Sequence, residues 1–87
     1  MRLSAEATHV LQALAGGFFL KSHRYLDGTK VCRLHSLSGQ SEDVQRATVD
    51  ALVRHGLVTS NQKFPVATYM LTDRGRAAVQ DFVGQEA

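Results

Sequence analysis

The sequence predicts an α+β domain with the element order α-β-β-α-β-β-α. Three observations carry this. Apolar residues recur at helical spacing in two stretches: Ala7, Val10, Leu11, Leu14, and Val44, Thr48, Leu52, Val53. Strand-forming residues cluster in two others, each interrupted by turn residues. After Leu71, Thr72 is an N-cap type and Asp73 follows it, which signals a third helix. The chain has 87 residues, enough for a single domain, 1–87, with one modest core.

Leu3-Ser4 opens the first helix. The Ser4 oxygen suits the N-cap, Glu6 suits the positive end of the dipole, and Gly16-Gly17 is the stop. From Phe18 to Ser36, residues Phe18, Phe19, Leu20, Tyr25, Val31 and Leu34 favour strand. Asp27-Gly28 marks a tight primed turn, in which both central residues take positive φ, so 18–25 and 30–36 are expected to pair as a hairpin. Neither strand alternates cleanly and a three-residue loop through Thr29 would shift every pair, which leaves the register open. Lys21, Arg24, Lys30 and Arg33 make this hairpin basic; they either solvate an exposed face or meet an anion.

Ser36 to Gln40 reads as a polar loop around Gly39. Ser41 is the expected N-cap of the second helix, with Glu42 and Asp43 in its first turn. His55-Gly56 ends that helix, since Gly tolerates the left-handed stop. Leu57-Val58-Thr59 and Val66 to Leu71 then form a second hairpin around a polar tip of Ser60, Asn61, Gln62 and Lys63. Pro65 sits at the loop edge, where its missing N–H is tolerated. Val79, Phe82 and Val83 anchor the last helix. Gly75 within it costs about 1 kcal/mol relative to Ala, which points to a close backbone contact.

Hydrophobic residues make up 44% and charged residues 21%, the balance of an ordinary folding domain. No apolar run reaches the roughly 20 residues of a membrane helix. MRLSAEATHV lacks the apolar core of a signal peptide, so a cytoplasmic address is expected. Cys32 is the single cysteine and is expected to pack in a strand. His9, His23, His35 and His55 lie on separate elements without metal-ligand spacing; His23 is placed within reach of Cys32 or Arg33 across the hairpin. No metal and no cofactor are expected. No catalytic residue is expected either: no serine sits in a nucleophile elbow, and Ala15-Gly16-Gly17 runs from helix into strand, the reverse of a phosphate-cradling loop. The chain does not read as an enzyme.

A helix feeding a hairpin is the second half of a winged helix, here with an extra N-terminal β-hairpin. In that arrangement one helix enters the major groove of DNA and the hairpin tip touches the backbone. Gln45 and Arg46 then lie near the leading end of the helix, where Gln reads adenine and Arg reads guanine. Lys63 meets a phosphate at the tip, and Lys21, Arg24 and Arg33 are further phosphate candidates. A formal charge of +2 favours an anionic partner. Two features stand against this reading. Asp50 is spaced i, i+4 from both Arg46 and Arg54, a surface ion ladder. Glu42 and Asp43 also bring negative charge to the approaching end.

Gly56-Leu57-Val58, followed by Tyr69-Met70-Leu71-Thr72-Asp73-Arg74-Gly75-Arg76-Ala77, resembles the end of bacterial winged-helix regulators of the MarR and PadR type. The resemblance spans the C-terminal half and implies transcriptional regulation. Those regulators place a helix before the recognition helix; here a hairpin and a short loop occupy that space, so that helix is either absent or compressed into residues 36–43. Across nearly the whole chain, Leu3-Ser4, Leu14-Ala15, Gly17, Asp27-Gly28, Leu57 to Asn61, Pro65, Thr72 and Gly75 give a spacing similar to the YjhX family. These are small bacterial toxins that inhibit DNA topoisomerase I by direct contact. That resemblance implies a protein partner and brings no site residue with it. A homodimer through a terminal helix or the edge of the first hairpin is compatible with either implication.

Overall fold

Ser4 accepts a hydrogen bond from the Ala7 N–H at 3.1 Å, and the first helix, α1, runs Ala5–Ala15. Ala7, Val10 and Leu11 form its buried stripe. The computed structural model describes residues 3–63 and 66–86, with side chains through Asp81. After α1 come β1 (Phe19–Arg24), β2 (Lys30–His35), β3 (Ser41–Val44), α2 (Arg46–Arg54), β4 (Val58–Ser60), β5 (Val66–Leu71) and α3 (Asp73–Glu86). The strands form one antiparallel sheet in the order β3-β2-β1-β5-β4.

Alternation along the ladders sends Leu20, Ser22, Cys32, Leu34, Val44, Val58 and Tyr69 to one side, and all are buried. There they meet Val10 and Leu11 of α1 and Val49 and Leu52 of α2, with Ala78 and Val79 of α3 packed alongside. The other side of the sheet carries Phe19, Lys21, His23, Arg33, His35 and Met70, exposed or half-buried. The domain is therefore two layers, helices over one face of a sheet.

The order contains one strand more than the sequence predicts. Ser41 is not the N-cap of α2, and Glu42 and Asp43 are not in its first turn. Residues 41–44 pair with β2 instead, in the register Cys32↔Val44, Arg33↔Asp43, Leu34↔Glu42 and His35↔Ser41. Val44 is 6% exposed and belongs to the sheet side of the core. The helical spacing that included Val44 and Val53 is corrected accordingly: Val53 is 44% exposed, and Val49 and Leu52 supply the buried stripe of α2. No helix forms in 36–43, so the first half of a helix-turn-helix is not found there.

The Asp27-Gly28 turn also differs from the two-residue form. The Tyr25 N–H donates to the Thr29 carbonyl at 2.8 Å and the Gly28 N–H donates to the Tyr25 carbonyl at 3.0 Å. Gly28 has φ +92°, whereas Asp27 has no positive φ. This is a three-residue loop, Leu26-Asp27-Gly28, closed by a left-handed glycine. The β2–β3 connection repeats it. The Ser36 N–H donates to the Gln40 carbonyl, the Gly39 N–H donates to the Ser36 carbonyl, and Gly39 also has φ +92°. The loop type fixes the first hairpin as Phe19↔His35 through Arg24↔Lys30.

The junctions at the two ends of the second hairpin are locked together. The Thr72 N–H donates to the Leu57 carbonyl at 3.1 Å. The Thr72 hydroxyl donates to the Gly56 carbonyl at 2.5 Å and accepts from the Gly75 N–H at 3.0 Å, so it caps α3 while holding the end of α2. Arg74 Nη1 donates to the His55 carbonyl at 3.3 Å. A Cβ on Gly75 would lie 2.1 Å from the Leu57 carbonyl oxygen, so the close contact inferred for this glycine is present. Pro65 and the side chains of Phe82 and Val83 lie outside the described residues.

On an open helix surface, Gly→Ala stabilises by about 1 kcal/mol. At position 75 the clash reverses the sign. Gly75→Ala is expected to cost about 2–3 kcal/mol and to lower Tm by roughly 8–24 °C. A thermal melt showing an unchanged or raised Tm would remove the clamp.

Candidate nucleic-acid interface

The surface around α2 is built by a contact between α1 and the head of α2. Gln45, the N-cap of α2, makes no side-chain cap bond. Glu6 of α1 does that work. Its Oε1 accepts from the Gln45 N–H at 3.1 Å and from the Thr48 hydroxyl at 2.5 Å. A glutamate at the third helical position commonly reaches back to the N-cap N–H; here Thr48 holds that position and the carboxylate arrives from another helix. Glu42 is engaged by His9 Nε2 at 2.6 Å, and Asp43 by Arg33 Nε at 3.1 Å. Each of the three carboxylates near the start of α2 thus has its own partner.

Gln45, Arg46, Asp50 and Arg54 are all exposed on α2. Among the described residues no ion pair joins Asp50 to either arginine, so the ion ladder expected on this helix does not form. Arg46, Asp50 and Lys30 lie close enough to Cys32 to act on its thiol, but burial dominates and pushes that thiol up. Cys32 is buried and free, an inert core residue.

The tips of the β1–β2 and β4–β5 hairpins flank a cleft lined by Ser22, Arg24, Lys30, Ser60, Lys63 and Tyr69. The β4–β5 wall is held by Asn61, whose Oδ1 accepts from the N–H groups of Lys63 and Thr68, both at 3.1 Å. Gln62 stands at φ 57° in this tip, with its N–H on the Ser60 hydroxyl. Asp27 in the other tip accepts from the Thr29 N–H at 2.9 Å, and that bond lowers its carboxyl below the usual range.

The candidate residues named from the sequence therefore separate. Arg24 and Lys63 meet at the cleft, on the side of the sheet that α2 covers. Gln45 and Arg46 stand at the head of α2. Lys21 and Arg33 are placed on the opposite side of the sheet and cannot join them on one ligand face; Arg33 is also engaged by Asp43. Lys30, named from the sequence only among the basic residues of its hairpin, enters the cleft, as do Ser22 and Tyr69, which were not singled out. The Leu-Asp-Gly loop is the signal that finds Lys30, because a three-residue loop sets Lys30 across from Arg24.

On the open side of the sheet, His23 and His35 meet edge to face with ring centroids 6.3 Å apart, and Lys21 Nζ lies 5.9 Å from the Phe19 ring centroid. His23 is paired with Val31 and faces away from Cys32, whose neighbour in β1 is Ser22, so the expected His23–Cys32 approach does not occur. His35 Nε2 is buried without a hydrogen-bond partner. Its imidazole is held below the usual 6.5, first by burial and then by Lys21, His23 and Arg33 around it.

The unfolded chain takes a proton on His35 near pH 6.5, whereas the native state resists it. The stabilisation from neutral His35 is present above that pH and is lost as pH falls towards the lower native value. Urea midpoints are expected to drop between about pH 7.5 and 5.5, and His35→Leu is expected to shrink that drop. An identical pH slope in the variant would count against a buried neutral imidazole.

No helix among the described residues is long and apolar enough to cross a membrane. No protein-family model matches this chain, no curated protein matches it and no solved structure matches it, so its functional reading rests on the geometry above.

Proposed function

We propose that this chain is a small DNA-binding protein of winged-helix type, acting in transcriptional regulation. α2 serves as the helix presented to the major groove and β4–β5 as the wing. The observation that carries this reading is the cleft where Arg24, Lys30 and Lys63 of two hairpin tips meet, on the side of the sheet against which α2 packs. The β1–β2 hairpin acts as a second wing. The supporting helix, which winged-helix regulators place just before the recognition helix, is replaced by α1. It packs on the core beneath α2 and supplies the Glu6 cap. Gln45 and Arg46 then reach base edges while the tip cations meet phosphates. Of the acids near the head of α2, Asp43 is offset by the Arg33 guanidinium, whereas Glu6 is held on neutral donors and keeps its charge there.

A second reading, a toxin-like contact with a nucleic-acid enzyme such as DNA topoisomerase I, draws on a different observation. Leu26 and Leu37, each at the first position of its hairpin loop, are 103% and 70% exposed. Apolar side chains held out on rigid tips suit a protein partner.

Anisotropy titrations on mixed-sequence duplexes separate the two. DNA binding predicts an affinity falling with salt at a log–log slope of roughly −3, one phosphate for each tip cation. Lys63→Ala and Arg24→Ala should each reduce the slope by about one, and Arg46→Ala should change sequence preference. Lys21→Ala should leave the slope unaltered. Absence of binding at low salt, together with growth arrest that depends on Leu26 and Leu37, would transfer the reading to the protein partner.

A further inference from the structure

The cleft between the two tips has a volume of about 210 Å³. That is below the roughly 300–1,000 Å³ of pockets that enclose a whole organic ligand; it is the size for one group. Its depth has a cause in the sequence. Across the sheet, Val44, Cys32, Ser22 and Ala67 fall in one row, and their small side chains lie between bulkier Tyr69 on one side and the long Arg24 and Lys30 on the other. Ser22, 5% exposed, is the one buried polar residue among the described residues, and its hydroxyl-bearing side chain lines this cleft.

The rim is electrostatically incomplete. Arg24 and Lys30 stand directly opposite each other in the β1–β2 ladder, and like charges in that position repel. Lys63 adds a third cation from the other tip. No carboxylate lines the cleft, and among the described residues no ion pair engages Arg24, Lys30 or Lys63. Three cations over a hydroxyl floor, in a space for one group, define the chemistry of the missing partner.

We infer that the cleft is a seat for a single phosphoryl group, held by Arg24, Lys30 and Lys63 and by the hydroxyls of Ser22 and Ser60. The group can come from free phosphate or from a nucleic-acid strand, and both present the same oxygens. Charge-assisted bonds from guanidinium and ammonium supply the binding, and the hydroxyls give it geometry. The seat needs only the two tips and stands apart from any role of α2.

The test titrates the full chain with inorganic phosphate at constant ionic strength and follows backbone amide shifts. Saturable shifts are expected at Ser22, Lys30 and Ser60, with chloride inert. Lys30→Gln and Ser22→Ala should each weaken phosphate by about tenfold, the loss of one charge-assisted bond. Phosphate should also raise the Tm of the parent chain more than that of Lys30→Gln, which no longer has the repulsion to relieve. Competition assigns the source: a duplex that displaces phosphate makes the strand the ligand, and a duplex that binds beside it makes free phosphate the ligand. Non-saturable shifts, or shifts unchanged in both variants, overturn the seat. DNA binding in a chain that takes no phosphate removes the seat alone, whereas phosphate binding without DNA affinity keeps the seat and removes the DNA reading.

Discussion

The fold depends on a contact at backbone distance: α3 begins so close to the α2–β4 junction that only a hydrogen fits between them. With a Cβ position on Gly75 at 2.1 Å from the Leu57 carbonyl oxygen, the two segments touch through main chain. The Thr72 hydroxyl serves both at once, donating to the Gly56 carbonyl and accepting from the Gly75 N–H. The clamp fixes where α2 ends and where β5 ends, and so sets the β4–β5 hairpin between them. It also explains the Gly-Leu-Val and Leu-Thr-Asp-Arg-Gly pattern in structural terms. Those residues are spent on the joint, and the pattern reports a way of connecting elements before it reports any activity.

Local chemistry made much of this legible. Ser4, Gly17, Gly56 and Thr72 sit at element ends because hydroxyl caps and left-handed glycines have few alternatives. β3 was hidden for the same reason. Ser41-Glu42-Asp43 is a good helix opening taken alone, with a cap followed by two acids. Its carboxylates are used across space instead, by His9 and Arg33, and Val44 completes the core row beside Cys32. Tertiary pairing outweighed a local signal worth about 1 kcal/mol. The Leu-Asp-Gly and Leu-Ser-Gly loops share one geometry, and reading them as a pair is what would have revealed a third strand.

The candidate site was legible as a set of charges and illegible as an arrangement. Arg24 and Lys21 differ by three positions on one strand, and a strand sends odd and even residues to opposite sides. One side of the sheet lies under helices and the other is open, so a list of basic residues on the first hairpin mixes two surfaces. The register, set by a turn whose type the sequence leaves ambiguous, decides which cations meet. Ser22 and Tyr69 had no signal of their own, because small and aromatic residues in strands usually pack.

α2 has nine residues. Isolated helices of that length are marginal in water, since a costly nucleus is spread over too few bonds. Its order comes from packing Val49 and Leu52 into the core and from α1, which lends a carboxylate to its first turn. The first turn of α2 is thereby tied to α1. The exposed head of α2 is then coupled to a distant helix, and an event that peels α1 away leaves the Gln45 N–H and the Thr48 hydroxyl without their shared acceptor.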